Sequence, residues 1–568
     1  MPIIIFLFMN FTVILSSFFI TYRLFKLPDF TGSLICWFIC YLAQIIIVEL
    51  VLGILAILYL KNVILLNLAI LLIIYLVTKK RSSSFDLSGI AATGFLKNKI
   101  IFFTISAILC FGLIKCFINL LNPPFGWDSL NYHFTFAVEW LKHGNLDIPI
   151  TIFDDPSPSY YPINGSLFYL WLMLPLKNVF LSDLGQIPFF ILSLLAIYNI
   201  SKKLGLNREL SFYACALFLV TPNIFKQLQI AYVDVMVAGL FLVSINFLFL
   251  LNERLSLANT LIYSMSLGLL LGTKTIGLPY SVLLFIPFLN LTLKNIKKSY
   301  FMPLAILVIA LLGGFSYFRN FIQTANPLYP LDFQLLGNTI FKGVIQTSVY
   351  RAHFKIEDYA LSKLLFHEGL GMQTAILILP AIFIALPIIL IKKKDLDFNL
   401  IYFLLLPILI FLVYRYIIPL ANTRYLYPAL GIGNIIGFYT LKTLKISRRV
   451  MAISVAIFVL ASIPELAKRS ELVASIIFTL FFFFSSPLLA KYIKEKYSIK
   501  RPLLLFLFFI LFVFSLILLE KDYLKNEFPR YIKMVKYSGF WPDATVAWNW
   551  LNKNTSGNNI AYAGRPVP

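Results

Sequence analysis

Apolar residues dominate long stretches of this chain, and polar residues gather between them. The apolar runs cover 3–22, 34–60, 63–78, 100–120, 184–200, 210–220, 230–251, 257–271, 276–291, 300–318, 374–391, 398–414, 425–441, 450–463, 472–490 and 502–519. They do not alternate with period two, as strands of a membrane barrel would, and several approach the ~20 residues a helix needs to cross a bilayer. The shorter ones must extend into flanking polar residues. The pattern predicts an all-α polytopic membrane protein, a multi-helix bundle of roughly 14–16 spans with external juxtamembrane helices. One further run, 165–176, is too short to cross and is bracketed by Pro162 and Pro175. It is expected to be juxtamembrane or re-entrant. The longest informative interruption is 122–162, NPPFGWDSLNYHFTFAVEWLKHGNLDIPITIFDDPSPSYYP. A polar loop of that length between spans implies a function or a fold of its own.

Composition agrees with the pattern: 60% of residues are hydrophobic and only 13% charged. The net charge of +23 would suit nucleic acid, but the placement of the cations excludes that partner. Lys79-Lys80-Arg81, Lys202-Lys203, Lys392-Lys393-Lys394 and the clusters at 294–298, 442–449 and 491–501 all fall between runs, as in cytoplasmic loops. That orientation puts 122–182, 319–373, 415–423 and the tail together on the other face. Four regions are expected: additional N-terminal helices over 1–98; a core over 99–441 with external loops 121–183 and 319–373; C-terminal helices over 442–520; and a non-cytoplasmic tail, 521–568, that reads as the start of a small soluble domain. The first run lacks a basic leader and a small-residue cleavage site, so it reads as a retained span. The five cysteines lie inside apolar runs without metal-ligand spacing. No phosphate-binding loop or dinucleotide turn is visible.

Candidate chemistry starts with Asp128. If 127–141 is an interfacial helix, Asp128, Asn131 and Tyr132 share a face, His133 lies off it, and Phe134, Phe136, Trp140 and Leu141 touch the membrane. Asp128 is then either the cap of that helix or a partly desolvated acid that acts as a base or binds a metal. Asp154 and Asp155, before PSPSYYP, either join such a site or form a turn. Asp234 opens an otherwise apolar run, where an acid costs about 2.5–3.5 kcal/mol if it lies deep. Lys274, Arg319 and Arg424 lie at run ends on the face of Asp128 and Asp234, with Arg415 nearby. They either snorkel to lipid headgroups or hold a phosphate-bearing ligand. Gln44 and Glu49 interrupt the second run and are expected to meet polar groups of another helix.

Taken in order, WDSLNYHFTFAVEWLKHGNL, PSYYPINGSLFYLWLMLPL, AYVDVMVAGLFLVSINFLFLL, LGLLLGTKTIGLP, YFRNFIQTANPLYP and NTRYLYPAL resemble the segments of the GT-C superfamily. These are multi-pass glycosyltransferases that use polyprenyl-phosphate sugars, among them protein O-mannosyltransferases and aminoarabinose transferases of lipid A. The resemblance implies Asp128 as catalytic base and Asp234 as a second acid orienting acceptor or sugar. It implies Lys274, Arg319 and Arg424 as ligands of the donor phosphate. Tyr132, His133, Asp154, Asp155 and Tyr161 are the candidate substrate-binding residues. The family's first motif has two adjacent acids, whereas Ser129 follows Asp128 here, so a divalent metal (Mg or Mn) is not certain and no other cofactor is expected. The implied partners are a polyprenyl-phosphate-linked sugar, a protein, lipid or glycan acceptor, and the bilayer. The implied location is the plasma (inner) membrane, with the active site facing outside. A lipid-linked sugar or polysaccharide transporter or flippase, and an O-antigen ligase or polymerase, are the rival readings.

Overall fold

The computed structural model describes residues 2–85, 99–121, 124, 126–151, 155–295, 297, 300–335, 338–353, 369–392, 398–419, 422–466, 550 and 553–555. Each apolar run within them is helical over most of its described length. In chain order the helices are α1 (Pro2–Phe19), α2 (Phe30–Ile54), α3 (Leu60–Thr78), α4 (Lys99–Leu121), α5 (Phe134–His143), α6 (Asn164–Met173), α7 (Ile187–Lys203), α8 (Arg208–Leu219), α9 (Pro222–Lys226), α10 (Asp234–Glu253), α11 (Leu257–Leu271), α12 (Gly277–Lys294), α13 (Phe301–Gly313), α14 (Phe315–Thr324), α15 (Thr347–His353), α16 (Leu379–Lys392), α17 (Phe398–Leu412), α18 (Tyr427–Thr443) and α19 (Arg448–Leu466). A two-stranded antiparallel hairpin, β1 (Phe333–Leu335) and β2 (Asn338–Phe341), precedes α15. The runs at 472–490 and 502–519, and nearly all of the tail, lie outside the described residues.

Among the described residues, seven helices are long and apolar enough to cross a membrane, or eight if the bent pair α13 and α14 forms one span. The chain is therefore an all-α polytopic membrane protein. Fewer helices meet that measure than the apolar runs suggest, because α8 and α11 have only 12 and 15 residues. Helix α10 lies at the centre, 94% buried over its apolar window. Its VMVAGLFLVSINFLFLL sequence is apolar on all sides, the pattern of a helix enclosed by others, here α7, α11, α12 and α18. The outer surface carries exposed Ile4, Leu7, Phe11, Leu72, Leu307 and Phe383, side chains that lipid tails accept and water does not.

The bundle has two chemically distinct ends. At one, Lys203 pairs with Glu253 at 2.6 Å and Lys442 Nζ donates to the Gly205 carbonyl at 2.6 Å. This basic end joins α7 to α8, α10 to α11 and α18 to α19. At the other end α10, α12 and α18 begin and α11 finishes. Short α6 belongs there too: Asn164 N–H donates to the Gly272 carbonyl at 2.8 Å, and Asn119, near the end of α4, donates to the Asp183 carbonyl at 3.1 Å.

One expectation about this second end is corrected. Phe134, Phe136 and Trp140 are not lipid contacts; they are buried in the protein, with Trp140 Nε1 donating to the Asp147 carbonyl at 2.9 Å. The helix sinks into the bundle because its aromatic face meets α6, where Phe134 packs edge-on to Tyr169. The run 300–318 is not one straight helix. It bends by 76° between α13 and α14, which lays α14 over the 157–160 turn. The N-terminal helices share one continuous apolar core with the rest. Polar links add to it: Gln44 bonds Ser16 at 2.5 Å and Asn67 at 2.8 Å, and Asn10 Oδ1 accepts from Tyr41 at 2.5 Å and Trp171 at 3.1 Å. Both Glu49 carboxylate oxygens are buried without a hydrogen-bond partner among the described residues.

Candidate functional site: a buried cluster of two acids and two cations

Four turns bring four charged side chains together at this end. Asp234 is the first residue of α10, where the helix dipole favours an anion. Gln186 staples the preceding turn: its Oε1 accepts from Val235 N–H at 3.1 Å and its Nε2 donates to the Ile230 carbonyl at 2.7 Å. Lys274 sits in the tight connection between α11 and α12, closed by Gly277 N–H on the Lys274 carbonyl at 2.7 Å. Arg424 lies in the 3-10 turn before α18, where Asn422 Oδ1 accepts from both its backbone N–H and its Nε at 3.1 Å. Asp128 follows Gly126, whose φ of +102° is accessible to glycine and costly for other residues.

The acids and cations interlock. Lys274 Nζ donates to Asp234 Oδ1 at 2.8 Å and lies 3.9 Å from Asp128 Oδ2. Arg424 Nη1 donates to Asp234 Oδ2 at 3.0 Å and to Asp128 Oδ2 at 3.2 Å. Asp128 makes no capping hydrogen bond, so the helix-cap alternative does not describe it. Tyrosines cover the cations: the Tyr232 ring centre lies 4.6 Å from the Arg424 guanidinium and the Tyr425 ring centre 5.3 Å from Lys274 Nζ, distances at which the ring faces attract cations. No protein-family model, curated protein or solved structure matches this chain. The chemistry has to be read from the cluster itself.

That cluster is neutral and asymmetric. The Asp234 side chain is 1% exposed and holds both cations at short range, whereas Asp128 is 13% exposed with longer contacts. Asp234 is therefore the more enclosed acid that anchors the cations, and Asp128 is the more accessible of the two. A divalent metal does not fit between them, because Lys274 and Arg424 already occupy the space where a metal would neutralise the carboxylates. Among the described residues no three His, Cys, Asp or Glu side chains gather elsewhere.

Beside the cluster lies a small cavity walled by Tyr132, His133, Phe136, Tyr161, Ser166 and Lys274 among others. His133 reaches it because 129–133 is a π-turn. In that winding the residue five places on, not four, stacks over the first, so His133 comes round toward the cluster instead of lying off it. Its Nδ1 pairs with Ser166 Oγ at 2.9 Å. Burial pushes the imidazole pKa down to about 3, so the ring is neutral at neutral pH. Tyr132 and Tyr161 meet edge to face.

The remaining candidates stand apart. Arg319 does not join Lys274 and Arg424; its Nη2 donates to the Ser159 carbonyl at 3.0 Å, because the bend before α14 turns it over the 157–160 turn. Arg415 lies over the Tyr416 ring. Asp155 Oδ1 accepts from Ser157 N–H at 2.9 Å, an Asx turn. Asp154 lies outside the described residues. Sequence reasoning missed Tyr232 and Tyr425, although AYVD and TRYLY place each beside a charged residue. It also missed Gln186, which no local signal marks.

Proposed function

We propose that the protein is an integral-membrane glycosyltransferase. It moves a sugar from a polyprenyl-phosphate donor to a hydroxyl of a protein, lipid or glycan, with the site on the non-cytoplasmic face. The observation that supports this most is the convergence of Asp128, Asp234, Lys274 and Arg424 at the end of the bundle opposite the basic loops. These residues come from four segments of the GT-C resemblance, and the resemblance did not require them to touch. In the reaction the acceptor oxygen attacks the anomeric carbon, and the bond from that carbon to the phosphate oxygen breaks with its electron pair leaving on the phosphate. The acceptor proton passes to Asp128. Lys274 and Arg424 stabilise the charge growing on the leaving phosphate, and Asp234 holds both cations in place. A flippase would need cations spread along the helices, whereas these gather at one end.

Native mass spectrometry of the purified protein should reveal a bound polyprenyl-phosphate sugar. Asp128→Asn should lower transfer from that donor by ~10²–10⁴-fold, the usual worth of a positioned base, while leaving membrane insertion intact. Full turnover by Asp128→Asn would remove the catalytic assignment. A purified protein that carries and binds no polyprenyl phosphate would remove the function.

A further inference from the structure

The His133 imidazole is held from one side only. Nδ1 faces Ser166 Oγ at 2.9 Å, while Nε2 is buried with no hydrogen-bond partner among the described residues, in a side chain 4% exposed that lines the cavity. A buried, unpaired ring nitrogen is costly unless something outside the protein completes it. The tautomer follows from Ser166. Its hydroxyl has one proton and, among the described residues, no acceptor other than Nδ1, so Ser166 donates to Nδ1. The ring proton then sits on Nε2, which presents an N–H donor to the cavity.

We infer that His133, oriented by Ser166, is the specificity-determining residue for the transferred sugar, with its Nε2–H donating to a ring hydroxyl seated between Tyr132, Phe136 and Tyr161. The inference rests on the proposed function. Three features favour a sugar over the phosphate itself. The donor is a neutral imidazole, suited to a neutral oxygen. Three aromatic side chains help to wall the cavity, and the space among them takes about one water-sized group, the size of a single hydroxyl. Lys274 belongs both to the ionic cluster and to the cavity wall, so an anion held there places the ring attached to it beside the cavity, with one hydroxyl reaching in.

The test compares binding of polyprenyl phosphate with binding of its glucosyl, mannosyl, galactosyl and aminoarabinosyl esters, by thermal shift and native mass spectrometry in detergent. Wild type should bind one ester more tightly than the bare lipid phosphate. His133→Phe, which keeps the ring volume, should lose roughly five- to tenfold of that gain, the worth of one hydrogen bond, with unchanged affinity for polyprenyl phosphate. His133→Gln, which keeps a donor near Nε2, should restore part of it. Ser166→Ala should weaken the gain by freeing the tautomer, and it tests the idea independently if His133→Phe fails to fold. A gain that survives in both His133→Phe and Ser166→Ala, or no gain for any ester in a wild type that binds polyprenyl phosphate, overturns the His133 assignment alone. A wild type that binds none of these lipids overturns the proposed function with it.

Discussion

Asp234 and Asp128 share the same two cations, yet neutralising them should have unequal consequences. Asp234→Asn removes the charge that Lys274 meets at 2.8 Å and Arg424 at 3.0 Å, in a side chain 1% exposed. Two buried cations are left to one acid, Asp128, which they approach only to 3.9 and 3.2 Å. Breaking a buried pair from one side costs ~3–5 kcal/mol, much of it the penalty of the charge left behind. Asp128→Asn leaves both cations paired to Asp234 and should cost about 1–2 kcal/mol, near the value of a hydrogen bond to a charged group. If the stranded cation is the main term, Lys274→Met in the Asp234→Asn background should recover part of the loss, so the double variant costs less than the two singles combined by ~2 kcal/mol or more. Thermal unfolding of the wild type and the four variants in one detergent measures this. Equal costs for the two Asn variants, or a double variant as costly as the combined singles, would refute the anchor role of Asp234.

Three further outcomes follow from particular residues. The His133 pKa of about 3 lies below the ~6.5 of an unfolded histidine, so as the pH falls from about 6.5 toward 3 the unfolded chain holds a proton that the folded ring refuses. Stability should fall by about 1.4 kcal/mol per unit of falling pH in that window, and a His133→Gln variant with the same slope would contradict the buried neutral ring. Gly126→Ala would put a Cβ 3.0 Å from Ile230 Cγ2 and the Tyr232 ring at φ +102°. It should cost ~1–3 kcal/mol by thermal unfolding, and an unchanged melting temperature would contradict the strained turn. Ile150→Cys, at a position 93% exposed, should react with an impermeant maleimide from the face opposite Lys80→Cys; labelling of both from one side would overturn the two-ended arrangement.

Much of the fold was legible because long apolar runs state their helices directly, and 257–271 matches α11 to the residue. What could not be read was depth and enclosure. Phe134 and Trp140 carry the same apolar signal whether they face lipid or protein, and only the packing of α5 on α6 decides. The candidate site was legible where charge interrupts hydrocarbon, as at Asp234 and Lys274. Arg319 carries the same signal but turns elsewhere, because the bend before α14 is a backbone event with no charge to mark it. The π-turn at 129–133 hid His133 in a similar way, since facial arguments assume an α-helical winding that this segment does not have.

The polar links of the N-terminal helices have a consequence for assembly. Ser16, Gln44 and Asn67 satisfy one another within α1, α2 and α3, and Asn10 finds Tyr41 within the same unit. These helices precede α6 in the chain, so they can close their hydrogen bonds before α6 is made. Asn10 Oδ1 still has a second lone pair, and Trp171 takes it from α6. In hydrocarbon, where no water competes for that lone pair, it becomes an address: the early unit offers this acceptor in the bilayer, and α6, with Ser166 and Tyr169 on it, is the late segment that docks there.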